Sequence, residues 1–160
     1  MKRVSFYLLF ILALYGWLLW MLIGGKIVLP NEDVKLALFC SISGGVGGLL
    51  YCLRGIYLNA SVFQRWNEVW LPWYFLRPFS SFICGAASFL FLKAGLIMLE
   101  AKQVESPSNF AFYAFAFAAG LNVDKFVEKI EDIAQVTWGI KKSRTAMKDS
   151  QDAKSEDTLP

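Results

Sequence analysis

Residues 109–122 read NFAFYAFAFAAGLN, an apolar stretch that is short for a membrane crossing. Its uninterrupted apolar part would form a helix of about 18 Å, whereas the hydrocarbon core of a bilayer is roughly 30 Å thick. Ser106 and Pro107, just upstream, are typical of a helix cap followed by a first helical residue. Because uncharged residues continue through Val123, we predict a short membrane helix near 107–123. A buried core helix and a re-entrant segment are the alternatives.

The composition of the whole chain indicates that lipid is its solvent. Of its 160 residues, 56% are hydrophobic and 18% are charged, whereas soluble domains have about 45–50% and about 25%. Charge-free runs cover residues 4–25 and 36–53, and a third run, 78–99, is interrupted only by Lys93. Runs of about 18 or more apolar residues match the hydrocarbon core. They predict three further membrane helices, near 4–23, 34–53 and 77–99. The predicted fold class is therefore all-α, a polytopic membrane protein with about four transmembrane helices in residues 1–123.

The distribution of basic residues predicts the orientation of these helices. With four crossings, one side of the membrane collects the basic tail and Lys2, Arg3, Arg54, Arg65 and Arg77. The other side keeps Lys26, Lys35 and Lys102. Because basic residues collect on the cytoplasmic side of membrane proteins, we predict a multi-pass protein of the inner (plasma) membrane with both termini cytoplasmic.

A glycine-rich stretch, SISGGVGG at residues 41–48, lies in the second predicted helix. Its small residues stand four apart and so share helix faces, where they let another backbone approach closely. Small residues also follow one side of the short helix near 107–123. The predicted packing positions are Ser41, Gly44, Gly45, Gly47, Gly48, Ala114, Ala118 and Gly120. This pattern leaves open whether they pack within one chain or between copies of it.

Lys93 lies inside the third predicted helix, six residues before Leu99. An ionisable residue within a membrane helix is a functional candidate by default. The distance to the helix end is about 9 Å, most of which a lysine side chain can cover by snorkelling. A structural role and a role in a pathway or gate are therefore both open for this intramembrane charge.

An interfacial helix is predicted over residues 60–71. Four aromatic residues recur here at spacings of three and four: Phe63, Trp66, Trp70 and Trp73. Polar residues fill most of the other positions, the pattern of a helix lying in the plane of the membrane interface. This aromatic face predicts a membrane anchor, and a groove for a lipid headgroup or a partner is the alternative.

A cytoplasmic amphipathic helix is predicted over residues 124–139. Its apolar positions recur at three and four, beginning just before it: Val123, Phe126, Val127, Ile130 and Ile133. Charged residues fill the other positions, and Gly139 is a typical helix stop. This helix could lie on the membrane, pack under the bundle or bind a partner helix. The remaining tail, 140–160, is polar and is predicted to be disordered.

Several function classes are excluded by what the sequence lacks. There is no histidine, the commonest general base and metal ligand. Three cysteines, Cys40, Cys52 and Cys84, lie in apolar runs without the spacing of a zinc or redox site. No nucleotide-binding glycine motif, nucleophile motif or single-sign basic stripe for nucleic acid is present. We therefore predict no catalytic residue, no cofactor, no metal, no direct nucleic-acid binding and no enzyme activity.

Three segments carry a resemblance to a known group of proteins. They read LRPFSSFICG at 76–85, FLFLKAGL at 89–96 and FAFYAFAFAAGLNVDKF at 110–126. This pattern of Arg-Pro, then Lys-Ala-Gly, then a short phenylalanine, alanine and glycine helix resembles small, uncharacterised four-span bacterial inner-membrane proteins. It covers about a third of the chain. Some small membrane proteins of this build are accessory or effector subunits in anti-phage defence, so the resemblance implies that role as one possibility.

These patterns lead to a first functional hypothesis and two alternatives. The first is a non-enzymatic membrane scaffold or accessory subunit that self-associates and presents a cytoplasmic platform to a soluble protein. The second is a pore-forming or permeability effector that uses the glycine-rich helix and Lys93. The third is a lipid-binding membrane protein that uses residues 63–73.

Overall fold

A computed structural model describes residues 2–26, 29–62, 68–95 and 109–139, and all its regular elements are helical. The helices are α1 (Lys2–Ile23), α2 (Glu32–Tyr57), α3 (Leu71–Lys93), α4 (Asn109–Leu121) and α5 (Val123–Trp138). A π-helical turn, Leu58–Val62, extends α2, and a 3-10 turn, Glu68–Trp70, precedes α3. The chain forms two compact units, Met1–Val123, which holds α1 to α4, and Asp124–Pro160.

Three of these helices are long and apolar enough to cross a membrane. They comprise Arg3–Ile23, Glu32–Ala60 and Leu71–Lys93. A fourth span is obtained only if α4 and α5 are counted together as one broken span. By itself α4 has 13 residues, or about 20 Å of helix. It is shorter than the predicted 107–123, of which residues 107 and 108 lie outside the described residues.

The start of α3 differs from the prediction, which placed it near residue 77. The helix begins at Leu71, with Pro72 in its first turn and Pro78 inside it. Proline suits the first turn because the backbone N–H that it lacks has no helical partner there. Pro78 is tolerated because neighbouring helices can hold an apolar helix in place around a lost hydrogen bond. The segment from Leu71 to residue 76 is therefore the first part of α3 instead of a connection.

The other end of α3 also differs from the prediction. The helix ends at Lys93, and Gly95 follows in a turn with a φ of +70°, a conformation that favours glycine. The predicted continuation over 96–99 lies outside the described residues. Lys93 is therefore the last residue of α3, whereas the sequence predicted that it lies inside the helix.

Neighbouring aromatic residues show how the four helices of the first unit run. Tyr7 of α1 pairs with Phe75 of α3, with ring centroids 4.5 Å apart, and further along the same two helices Tyr15 pairs with Phe82 at 6.0 Å. These two helices are parallel. At the end of α3, Lys93 forms an ion pair with Asp33, which lies at the start of α2. Helix α2 is therefore antiparallel to α3. We call the two ends of the bundle the Arg54 end and the Lys93 end.

Helix α4 runs parallel to α2. Phe39 and Tyr113 lie together near the starts of these two helices, with centroids 5.6 Å apart. Further along, the backbone of Leu121, the last residue of α4, approaches Gly47. Since Gly47 is ten residues before the end of α2, α4 stops about 15 Å short of the end of α2 at the Arg54 end.

The glycines of α2 lie against each of the other three helices. A Cβ atom at Gly44 would lie 2.6 Å from the Ser81 carbonyl oxygen of α3, and one at Gly45 would lie 2.5 Å from the Tyr15 ring of α1. A Cβ at Gly47 would collide with the α4 backbone at Phe117, and one at Gly48 would collide with the Ser81 side chain. The four glycines are therefore used for packing within one chain.

In two of the small-residue pairs, both members contact the same neighbouring helix. Gly44 and Gly48 both contact Ser81 of α3. Gly47 contacts α4, and Ser43, four residues before it, donates a hydrogen bond of 2.8 Å to the Tyr113 carbonyl oxygen of the same helix. Ser41 is buried and lies beside Gly85 of α3.

The packing face of α4 is different from the one predicted. Ala116, Ala119 and Gly120 are buried, whereas Ala114 and Ala118 lie on the exposed side of the helix. The rotation of α4 is fixed by Gly120, because a Cβ atom there would collide with the backbone of Gly44. This contact turns Ala114 and Ala118 away from the bundle, so of the three predicted positions on α4 only Gly120 packs within the chain.

We expect Gly120→Ala to destabilise the bundle by about 1–3 kcal/mol, because the added methyl group meets backbone that cannot move aside. The measurement is chemical unfolding of the purified protein in detergent micelles. Gly16→Ala is the matched control, because a Cβ atom at Gly16 has no atom within 4 Å. Equal stability of the two variants would contradict the packing described here.

Candidate functional site

Arg77 is a buried arginine of α3, with only 5% of its surface exposed. Its Nη2 donates a hydrogen bond of 3.4 Å to the carbonyl oxygen of Leu121. Its guanidinium carbon lies 4.8 Å from the Tyr51 ring centroid and 5.3 Å from that of Trp73. An arginine is always charged and stacks well on aromatic faces, so this site holds a buried positive charge between α2, α3 and α4.

The end of α4 explains why a donor is needed at this point. The last carbonyl groups of any helix lack partners within the helix and carry partial negative charge. At α4, Ser81 donates a hydrogen bond of 2.9 Å to the carbonyl oxygen of Gly120, beside the bond from Arg77 to Leu121. Two side chains of α3 thus bind two successive carbonyl groups at the end of α4.

A cavity of about 360 Å³ lies at the Arg54 end, between the last turns of α2 and the first turn of α3. Its lining residues are Tyr51, Arg54, Gly55, Leu58, Asn59, Trp70, Trp73 and Tyr74. All of them belong to the first unit and none is acidic. The cavity therefore combines aromatic walls, one amide and one guanidinium.

The aromatic walls of the cavity hold one another in place. The rings of Trp73 and Tyr74 meet edge to face with centroids 5.1 Å apart, and Tyr51 lies 5.8 Å from Trp73. Asn59 donates a hydrogen bond of 3.5 Å from Nδ2 to the Tyr74 hydroxyl. Asn59 belongs to the π-helical turn after α2, a type of turn that is frequent at functional sites.

Glycine at position 55 gives the cavity part of its width. A Cβ atom at Gly55 would lie 3.1 Å from the Tyr74 hydroxyl, tighter than an ordinary contact. The backbone of α2 therefore forms this side of the cavity directly.

The predicted aromatic anchor is only partly within the described residues. Phe63 and Trp66 lie outside them. Trp70 ends the 3-10 turn and is 59% exposed, and Trp73 lies in α3. These two tryptophans line the cavity. The sequence prediction had placed both on the aromatic face of a separate interfacial helix.

Lys93 lies at the surface of the opposite end. Its side chain is 51% exposed, pairs with Asp33 and lies over the Phe89 ring, with 5.7 Å between Nζ and the ring centroid. An exposed ion pair of this kind contributes about 0–1 kcal/mol to stability. The lysine thus links the end of α3 to the start of α2.

Helix α5 begins at Val123 and lies otherwise in the second unit. Val123 and Phe126 are buried, Ile130 and Ile133 are half-buried, and Val127 is 42% exposed. Lys125 and Glu128, on the charged side, form an ion pair of 2.9 Å. Gly139 follows the helix with a φ of +67° and donates its N–H to the Gln135 carbonyl oxygen.

Sites for other chemistry are not found in the described ranges. No group of three or more metal-ligating side chains occurs among those residues. Cys40, Cys52 and Cys84 are buried and form no disulfide bond. Comparison with known protein families, curated proteins and solved structures finds no match to this chain.

Sequence reasoning identified Arg77 only as a charge near the cytoplasmic side. Its neighbour four residues earlier, Trp73, stands on the same helix face and could have indicated a stacked arginine. Its acceptor on Leu121 is a backbone atom of another helix, which no side-chain pattern encodes.

We expect Arg77→Leu to lower the free energy of unfolding by about 2 kcal/mol, because a hydrogen bond to a charged group is lost and a helix-end carbonyl is left in an apolar site. The free energy of unfolding of Arg77→Lys should lie between those of Arg77→Leu and the original protein. A lysine ammonium group cannot both stack on the aromatic rings and donate a hydrogen bond to the Leu121 carbonyl oxygen. Detergent unfolding followed by tryptophan fluorescence measures this. Arg3→Leu removes an exposed arginine as the control, and a stable Arg77→Leu protein would disprove the assignment.

Proposed function

We propose that this chain is a non-enzymatic integral membrane protein that serves as a scaffold or accessory subunit for a soluble cytoplasmic protein. The observation that carries the proposal is the contrast between the two units. The first is closed by glycine contacts on three sides of α2, as in a fixed anchor. The second contributes most of an amphipathic helix, α5, whose apolar positions repeat at helical spacing.

The proposed topology has four crossings in the inner (plasma) membrane and both termini in the cytoplasm. The three long apolar helices support the membrane location. The basic residues Arg3 and Arg54 lie at the same end of the bundle, which supports a cytoplasmic Arg54 end. The fourth crossing rests on the distribution of basic residues, because α4 alone has 13 residues and reaches a spanning length only when α4 and α5 are counted together.

We expect a periplasm-dependent reporter enzyme to be inactive when fused before Met1 or after Pro160, because both termini remain in the cytoplasm. A fluorescent reporter that folds only in the cytoplasm should be active at both positions. The matched control is the same enzyme inserted after Gly25, which should be active because the link between α1 and α2 then faces the periplasm. Opposite results at the two termini would contradict an even number of crossings.

Self-association between copies stays part of the proposal, but the glycines of α2 do not provide its surface. The glycines of α2 are already covered by α1, α3 and α4. Small residues remain exposed on the outer side of α4, at Ala111, Ala114 and Ala118. If copies of this chain pack closely, this side of α4 offers the small-residue face that membrane helices use.

We expect Ile130→Asp in α5 to reduce recovery of soluble partner proteins at least tenfold, because a charge on an apolar docking face costs several kcal/mol of binding. The measurement is affinity purification in mild detergent with quantitative mass spectrometry. Lys129→Gln, an exposed neighbour on the charged side, is the matched control. A strictly monomeric protein that recovers no partner, with or without the substitution, would count against the scaffold.

A pore or permeability effector, including one in anti-phage defence, remains the alternative. It would need α2 to line a pathway and Lys93 to lie on it. In the first unit the small face of α2 is filled by side chains and backbone, and Lys93 pairs with Asp33 at the surface. These two observations favour the scaffold.

A further inference from the structure

The cavity at the Arg54 end has a positive electrostatic character. Arg54 lines it directly. A second guanidinium, that of Arg77, lies 4.8 Å and 5.3 Å from the ring centroids of Tyr51 and Trp73, two of the walls. The described lining contains no carboxylate to offset these charges. Such a cavity favours an anion over a quaternary ammonium ion, although its aromatic walls alone would suit either.

The size and polar groups of the cavity restrict the anion further. A volume of about 360 Å³ is at the lower end of the range of ligand pockets. It accommodates a phosphate with a few attached carbon atoms. Arginine binds phosphate through two parallel hydrogen bonds, the Asn59 amide adds a polar contact, and the aromatic rings cover the carbon atoms. This set of groups fits a phosphodiester better than a bare ion.

The position of the cavity along the helices points to the source of that phosphodiester. Arg54 directly follows the charge-free run 36–53 of α2. Trp70 and Trp73, at the start of α3, are residues enriched at membrane–water interfaces. If α2 and α3 cross the bilayer, the cavity therefore lies at the level of the lipid headgroups.

We propose that this cavity binds the phosphodiester headgroup of an anionic phospholipid, with Arg54 contacting the phosphate and Trp70 and Trp73 covering the glycerol. The proposal rests on the membrane location in the proposed function but not on the scaffold role. A protein that binds the lipid but no soluble partner would refute only the scaffold, and the reverse result would refute only the lipid site.

The test uses the full chain purified in mild detergent and titrated separately with phosphatidylglycerol, phosphatidylcholine and inorganic phosphate. Binding is counted by native mass spectrometry. We expect phosphatidylglycerol to bind at least tenfold more tightly than phosphatidylcholine, and inorganic phosphate not to compete with it at millimolar concentration. Equal binding of the two lipids, or binding of inorganic phosphate as tight as that of phosphatidylglycerol, would overturn the proposal.

Two variants and one control assign the binding to this cavity. Arg54→Gln should weaken phosphatidylglycerol binding about five- to tenfold, the effect of one basic residue at a membrane surface. Trp70→Leu, a change at a mostly exposed ring, should weaken it by a similar factor without unfolding the protein. Arg3→Gln removes an exposed charge at the same end of the bundle, outside the cavity, and should leave binding unchanged. Equal losses in the Arg3 and Arg54 variants would show general charge attraction and refute the site.

Discussion

The first unit of this protein depends on the close approach of three backbones at the centre of α2. Gly44 lies against Gly85 of α3 on one side and against Gly120 of α4 on another. Helices within a lipid bilayer have no hydrophobic driving force for association. Their association relies on van der Waals contact and on hydrogen bonds between helices. Any side chain at these three positions would separate the backbones and remove much of that contact.

The glycine contacts have a consequence for the polar groups around them. With Gly120 held against Gly44, the last turn of α4 lies inside the bundle, and its carbonyl groups are shielded from water by the neighbouring helices. Unsatisfied carbonyl groups in an apolar medium cost several kcal/mol. Ser81 and Arg77, one turn apart on α3, supply the two donors. The burial of Arg77 thus has a structural cause. Its guanidinium binds the last carbonyl group of α4, a helix that is shorter than its neighbours.

The sequence predicted the all-α class well because that class depends on local patterns. Charge-free runs indicated α1, α2 and α3, and the small residues of 41–48 indicated close packing. The sequence could not say which helix would cover each glycine, because small residues are alike on every face and the rotation of α4 is fixed only by Gly120 meeting Gly44. For this reason the sequence could not show that Ala114 and Ala118 lie on the exposed side of α4.

The ends of α3 were misplaced for a different reason. The prediction began this helix near residue 77, whereas in the structure Pro72 lies in its first turn and Pro78 lies within it. Proline breaks a helix in water because the lost hydrogen bond and the steric clash are not compensated. Within a bundle, the surrounding helices supply that compensation. Lys93 was misplaced in turn, since its interior position depended on a helix that continued to residue 99.

The cavity lies beyond the closely packed segment of α2. From Gly44 to Gly48, α2 is surrounded on three sides. Beyond Gly48 no further glycine contact joins α2 to α4, because α4 ends at Leu121, while α2 continues about 15 Å to Tyr57. The residues of α2 and α3 that line the cavity include large rings, Tyr51, Trp73 and Tyr74, which cannot interlock as closely as glycines do. A short fourth helix creates a helix end that needs a buried donor, and Arg77 supplies it. The rings of Tyr51 and Trp73 that lie against the Arg77 guanidinium are also walls of the cavity, so the buried charge and the cavity share two side chains.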